Sequence, residues 1–263
     1  MSNLSLFEER KITRITFNPT PIKKEITDIV ALDESTCVFI NGEYHVTLIT
    51  TPSEKEELAI GFLFCEGIID SIRDVKSIEI QRKDIYVNVN KKIDLRKAVA
   101  HRTNLITTAC NSSSTHLIKP IKMNKISSTL KVKPEIILKK VRELSRKSKI
   151  HLRTGGTHAA MLCSTDGEVL AFSEDVGRHN AIDKVIGRMI LNERKLSDNL
   201  LISSGRQSGE MIQKAVQAKI PIVASITAPL SSGIRLADMT GITLVCFARG
   251  KRLQIYSAPH RIM

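Results

Sequence analysis

At 263 residues with a net charge of +13, the chain is long enough to bury a substantial core without covalent staples, and its charge favours an anionic partner. Five cysteines, at 37, 65, 110, 163 and 246, include no close pair, which excludes a disulfide framework and a zinc ribbon and indicates a reducing compartment. No basic stretch precedes an apolar core at the N-terminus, and the apolar run 58–65 is too short to cross a bilayer, so the expected location is the cytoplasm, with no membrane contact.

Taken in chain order, residues 1–100 read as a small sheet-rich α+β unit. Cys37-Val38-Phe39-Ile40 and Tyr44 to Ile49 flank Asn41-Gly42, a pair that accepts the positive φ of a type I′ hairpin turn. Ser53 with Glu56 then reads as a capping box, Leu58, Ile60, Phe62 and Leu63 supply an apolar helix surface, and Gly67 ends the helix. Val75 to Ile80 and Ile85 to Val89 are expected strands. His45 and Cys65 read as packed residues rather than ligands.

Residues 101–128 are rich in Thr, Asn and Ser and carry little periodicity, as a loop would. Cys110 lies in this loop among small polar neighbours and is expected to be reachable, whereas Cys163 and Cys246 fall in apolar strand patterns and are expected to be buried and inert. A free thiol with a pKa of ~8.5 is only slightly ionised at neutral pH. A working Cys110 therefore needs His101, Arg102, His116 or another cationic group beside it.

From 129 to 263 the pattern becomes regular α/β. Pro134 opens a helix with Ile137, Leu138, Val141 and Leu144 at helical spacing, and Ala159 to Ser164 and Glu168 to Phe172 flank an Asp166-Gly167 turn. A helix over 178–191, a strand over 200–203, a helix opened by Gly205 to Glu210, a strand over 222–226, a helix over 231–237, and strands over 242–247 and 253–256 follow. This alternation predicts a sheet covered by helices on both faces.

The stretch Glu174-Asp175-Val176-Gly177-Arg178-His179-Asn180-Ala181-Ile182-Asp183-Lys184 is poor core material at a strand-to-helix turn. Its acids serve as helix-terminus residues or as parts of a polar site built on that terminus. In open α/β sheets the turns after the strands converge on a ligand crevice, so Arg178, His179, Arg206, Gln207, Ser208 and Ser232 are expected to face one phosphate-favouring pocket. Phe247-Ala248-Arg249-Gly250-Lys251-Arg252 suits a pyrophosphate, with three cations around one glycine, and equally suits a hairpin turn between terminal strands. Nucleic acid is a poor partner for this charge, because seven Phe, three Tyr and no Trp leave few stacking platforms.

Together with Thr154-Gly155-Gly156-Thr157-His158-Ala159-Ala160 and Ser203-Ser204-Gly205-Arg206, these motifs resemble the formate dehydrogenase accessory sulfurtransferase (FdhD/NarQ) family, densely from Thr154 onward and loosely before it. The resemblance implies a cytidine-deaminase-like three-layer α/β/α domain with a mixed sheet over 129–263, preceded by the smaller sheet-rich unit. Zinc-deaminase signatures are missing from the corresponding helix starts, so no bound metal is expected.

The activity implied by the resemblance is that of a sulfurtransferase. A cysteine desulfurase would donate sulfur as a persulfide on Cys110, for delivery to the molybdenum cofactor in its bis-guanine-dinucleotide form, which formate dehydrogenase requires. The family pattern assigns Phe247, Ala248, Arg249, Gly250, Lys251 and Arg252 to the guanine nucleotide moiety, with Arg178, His179 and Arg206 lining the same cleft, and it implies a homodimer. The chain departs from the family's Cys-x-x-Cys at Cys110-Asn111-Ser112-Ser113, where Ser113 stands in the second position. One thiol suffices to hold a persulfide, and Ser113 cannot attack it to release sulfide. A second reading keeps cofactor binding without transfer: a chaperone for formate dehydrogenase in which Cys110 is incidental.

Overall fold

The computed structural model describes residues 6–90 and 125–263. Three sheets are present among them: a hairpin, a four-stranded sheet and a six-stranded mixed sheet.

The hairpin pairs β1 (Phe7–Phe17) with β2 (Pro21–Ala31) in continuous antiparallel register. None of it is buried and its distal part is exposed, Phe17 at its tip to 78%. Its root is clamped to the body, where the Arg153 guanidinium lies 3.8 Å from the Phe7 ring centroid. The β-branched residues in 11–17 and the Asn18-Pro19-Thr20-Pro21 break are the sequence signals that mark this element.

The four-stranded sheet has the order β4-β3-β6-β5, formed by β3 (Glu34–Ile40), β4 (Glu43–Thr50), β5 (Val75–Gln81) and β6 (Asp84–Val89). The expected Asn-Gly turn joins β3 to β4, with Asn41 at φ 50° and Gly42 at φ 84°. Helix α1 (Lys55–Cys65) follows, but not through a capping box: its N-cap is Glu54, in the left-handed region at φ 54° with no side-chain cap. A tertiary ion pair stands at the helix start. The Glu54 carboxylate is drawn to the Arg188 guanidinium, which also holds Glu57 Oε1 at 3.2 Å and donates to the Phe172 carbonyl at 2.8 Å.

The remaining helices are α2 (Pro134–Lys147), α3 (Lys149–Thr154), α4 (Arg178–Leu191), α5 (Gly209–Gln217) and α6 (Ser231–Thr240). They surround the sheet β12-β11-β10-β9-β7-β8, built from β7 (His158–Cys163), β8 (Val169–Asp175), β9 (Leu200–Ser203), β10 (Ile222–Ser225), β11 (Thr243–Arg249) and β12 (Arg252–Ser257). Strands β9, β10 and β11 are parallel; β7 runs against both β8 and β9, and β12 against β11. This is the sheet with helices on both faces that the alternation predicts, and it is mixed, as the resemblance implies.

Strand side chains alternate between two cores. Ala159, Met161, Leu200, Ile202, Ile222 and Val245 pack with Ile137, Val141 and Leu144 of α2. Ala160, Leu162, Leu201, Val223 and Leu244 face α4, α5 and α6. The second core continues without interruption through α1 into the inner face of the four-stranded sheet, at Val38, Ile40, Ile85 and Val87. Helix α4 is thus covered on two sides, which explains its nearly continuous burial from Asn180 to Ile190.

Candidate functional site

Strands β8, β9, β10 and β11 all point the same way, so the turns after them collect along one edge of the sheet. These turns carry Gly177-Arg178-His179, Ser204-Gly205-Arg206, Thr227 and the Arg249-to-Arg252 tip; β7 begins at the same edge with His158.

Polar bonds lock the edge. Asp175 is fully buried, 2.6 Å from Lys184 Nζ, and accepts from the backbone of Thr51 and Gly177 and from Asn180 Nδ2. Glu174 accepts from the amides of Ile150 and His151 and from the Thr157 hydroxyl, tying α3 to the start of β7. Both acids therefore hold the frame. Ser225 Oγ donates to the Gly205 carbonyl at 2.7 Å, Thr227 Oγ1 donates to the Ser204 carbonyl, and Phe247 N donates to the Thr227 carbonyl, joining three successive turns.

On this frame Arg178, Arg206 and His158 come together. Gly205 has no side chain because Arg178 occupies the space: a Cβ there would lie 2.8 Å from that of Arg178. Burial lowers the His158 pKa first, then the charges of Arg178, His151 and Arg206 lower it further. His158 Nδ1 lies 3.3 Å from Ser204 Oγ, which also accepts from Ala159 N at 2.9 Å. His158 and Ser204 stand in two of the sequence motifs, but their types and spacing alone give them no role; the turn geometry does.

Residues 247–252 form the hairpin tip, the second of the two forms that the sequence allowed. Arg249 and Arg252 face each other across the turn, Gly250 has φ 61°, and Arg249, Gly250, Lys251 and Arg252 are all exposed. Phe247 is half-buried, with its ring centroid 5.9 Å from the Arg249 guanidinium, whereas Ala248 is fully buried with its side chain in the core. Strand spacing puts Arg249 about 14 Å from His158, three strands away along the edge. The edge thus has two cationic ends.

Other expected pocket residues are engaged elsewhere. Gln207 is fully buried and donates to the Gly205 carbonyl; Ser232 Oγ accepts from Gly209 N, joining α6 to α5. His179 lines a separate cavity of about 50 Å³ between α1, α4 and α5, with its Nε2 3.5 Å from Glu210 Oε2. Burial, aided by Lys214 and Arg178, pushes its pKa down to about 3, so it is neutral at physiological pH. The same cavity holds Cys65 beside the buried pair of Asp183 and Lys214, whose Nζ lies 2.7 and 2.8 Å from the two carboxylate oxygens. Burial and Asp183 push the Cys65 thiol well up. A larger groove of about 1150 Å³, including Lys125, Arg194 and Lys219, lies toward the amino ends of β9 and β10, away from the charged edge.

Cys163 and Cys246 are fully buried, and burial pushes both thiols up to about 12, as expected of inert residues. Cys110, with the neighbours His101, Arg102, Ser113 and His116, lies outside the described residues. Among the described residues no cluster of His, Cys, Asp and Glu is arranged to hold a metal ion, and no helix is long and apolar enough to cross a membrane.

The FdhD/NarQ family model matches residues 31–263. The chain belongs to this family. Among its FdhD relatives, a protein named "Sulfur carrier protein FdhD" from Saccharolobus solfataricus is 38% identical over 242 residues, covering 90% of this chain and 91% of the relative. A protein of the same name from Thermoplasma acidophilum is 36% identical, covering 91% and 88%. The fold is similar to the crystal structure of a protein described as a formate dehydrogenase accessory protein from Desulfotalea psychrophila. That comparison has a TM-score of 0.79 and 25% identity, and covers 98% of this chain and 100% of the other.

Proposed function

We propose that this FdhD/NarQ member is a cytoplasmic sulfur carrier and sulfurtransferase in formate dehydrogenase maturation. It accepts sulfur from a cysteine desulfurase as a persulfide on Cys110 and passes it to the molybdenum cofactor in its bis-guanine-dinucleotide form. The relatives' name supports the carrier role. The observation that carries the cofactor half is the gathering of Arg178 and Arg206 with the exposed Arg249-Gly250-Lys251-Arg252 tip along one edge, with cations spaced for a long phosphorylated ligand.

In the loading step the Cys110 thiolate attacks the outer sulfur of the desulfurase persulfide. The new S–S bond forms on Cys110, the desulfurase thiolate leaves with the electron pair of the broken bond, and no external oxidant or reductant is needed. Ser113, standing where a second thiol would, leaves the loaded persulfide without a resolving neighbour at that position. At the edge, Arg249, Lys251 and Arg252 neutralise the nucleotide phosphates and Gly250 admits close backbone approach. The cofactor is cargo, and a homodimer would present two such edges to its two nucleotide arms.

Incubation with a cysteine desulfurase and cysteine, followed by intact-mass measurement, tests the reading. The expected result is a gain of one sulfur on the wild type and none on Cys110→Ala; an equal gain on both removes Cys110 as the carrier.

A further inference from the structure

We propose that His158, held by Ser204, is an anion-binding residue of this edge: a neutral imidazole whose Nε2–H donates to an oxyanion, phosphate or pyrophosphate in class, seated between Arg178 and Arg206. The inference deepens the reading of the edge as a cofactor site and rests on it for the ligand class alone.

The argument is one of proton placement. Ser204 Oγ already accepts the Ala159 N–H at 2.9 Å, which leaves its hydroxyl proton available to His158 Nδ1, 3.3 Å away. A hydroxyl that donates to Nδ1 makes that nitrogen the acceptor and leaves the ring proton on Nε2. Ser204 is itself immobilised, because its N–H donates to the Ala159 carbonyl and its carbonyl accepts from Thr227 Oγ1. The imidazole is thus fixed from one side, by two strands and a turn.

The surroundings decide its charge. Arg178, Arg206 and His151 all act on His158 to disfavour a third positive charge, and burial does the same; Asp175 opposes them, but it is committed to Lys184 and to the backbone of Thr51 and Gly177. A neutral donor placed among cations adds directionality to an anion site without adding repulsion when the site is empty. Two guanidiniums supply charge; His158 supplies a hydrogen bond at a defined angle.

The test uses the full chain and two probes, inorganic pyrophosphate and guanosine diphosphate, with affinity measured by calorimetry between pH 6 and 8. The wild type is expected to bind both with little pH dependence beyond the probes' own titration. His158→Phe should weaken binding roughly tenfold to a hundredfold, the worth of one hydrogen bond to a charged group. His158→Gln, whose amide N–H reaches a similar place, should stay within about threefold of wild type by the same hydrogen-bond reasoning. Ser204→Ala should lose several-fold and Ser204→Thr should restore it, which separates positioning from general damage to the fold.

Unchanged binding in His158→Phe, or wild-type binding that strengthens tenfold as a group near pH 6.5 gains a proton, overturns the neutral-donor role. So does a wild type that binds neither probe. If His158→Phe does not fold, the wild-type pH profile and the two Ser204 variants still decide the question. Sulfur loading of the wild type is read separately by mass: its failure sinks the carrier function and leaves the anion-site result standing, and the reverse holds as well.

Discussion

Gly61 of α1 lies against the backbone carbonyl of Asp183 in α4, so near that a Cβ on Gly61 would sit 1.8 Å from that oxygen. The contact is reciprocal: a Cβ on Gly187 of α4 would sit 1.9 Å from the Glu57 carbonyl of α1. The two helices therefore cross backbone to backbone. Through this crossing the four-stranded sheet is fastened to the layer that carries the charged edge.

Gly61→Ala or Gly187→Ala must push the helices apart, because the obstacle is backbone and not a flexible side chain. Each is expected to cost about 3 kcal/mol or more. For a chain of this size that corresponds to a fall in melting temperature of roughly 6–12 °C by calorimetry. A variant that melts with the wild type would mean that the helices do not meet here.

Asp183 also ties this crossing to α5 through its buried pair with Lys214. Lys214→Met leaves a carboxylate uncompensated beside Cys65 and is expected to cost about 3–5 kcal/mol in urea unfolding. The double variant Asp183→Leu/Lys214→Met should recover most of that loss. A double variant no more stable than the single one would show that the pair's polar character is itself required.

His179 gives stability a pH dependence of defined sign. Its pKa is about 3 when folded, against an ordinary value of 6.5, so between these limits the unfolded chain binds more protons and stability falls as the pH is lowered from about 6.5 toward 3. The slope from this residue approaches about 1.4 kcal/mol per pH unit in the middle of that window. His158 acts in the same direction. His179→Gln should remove its share of the slope; denaturation midpoints of the two proteins that run parallel from pH 6.5 to 4 would contradict the assignment.

Thiol reactivity should follow burial. In the native protein at pH 7.5, peptide mass mapping after alkylation should leave Cys65, Cys163 and Cys246 unmodified, while Cys37, half-buried 3.4 Å from the Thr47 hydroxyl, labels slowly. In denaturant all five cysteines should label. Rapid native labelling of Cys65 would mean that its cavity opens.

Arg249→Ala should weaken guanosine diphosphate binding about tenfold, the loss of one charge-assisted contact. It should leave the melting temperature unchanged within about 2 °C, since the side chain is exposed at a turn. Equal affinity in wild type and variant removes the hairpin tip from the site.

Much of the fold is local in origin and therefore readable in the chain. Asn41-Gly42, Pro134, the apolar run from Ala159 ahead of the Asp166-Gly167 turn and the helical spacing after Arg178 each fix their element through turn chemistry or periodicity within a few residues. The same holds for Cys163 and Cys246, whose apolar neighbours announce their burial. The capping box expected at Ser53 is not formed: the helix is capped at Glu54, whose carboxylate pairs with Arg188, more than 130 positions away.

The charged edge is legible only in part. Local sequence places Arg178, Arg206 and Arg249 at the ends of strands, and strand direction then makes it natural for their turns to gather. Which side chains face outward is a tertiary outcome. Asp175 turns inward because Lys184 and three backbone or amide donors satisfy it there; His179 enters the α1–α4–α5 cavity instead of the edge; Ala248 is consumed by the core. His158 and Ser204 meet across 46 positions through the pairing of β7 with β9. Sequence by itself determines the elements and the residues that bear charge, because propensity and periodicity act over a few positions. Which of those residues share one site is decided by strand order and close helix packing, since such contacts join positions that no local pattern connects.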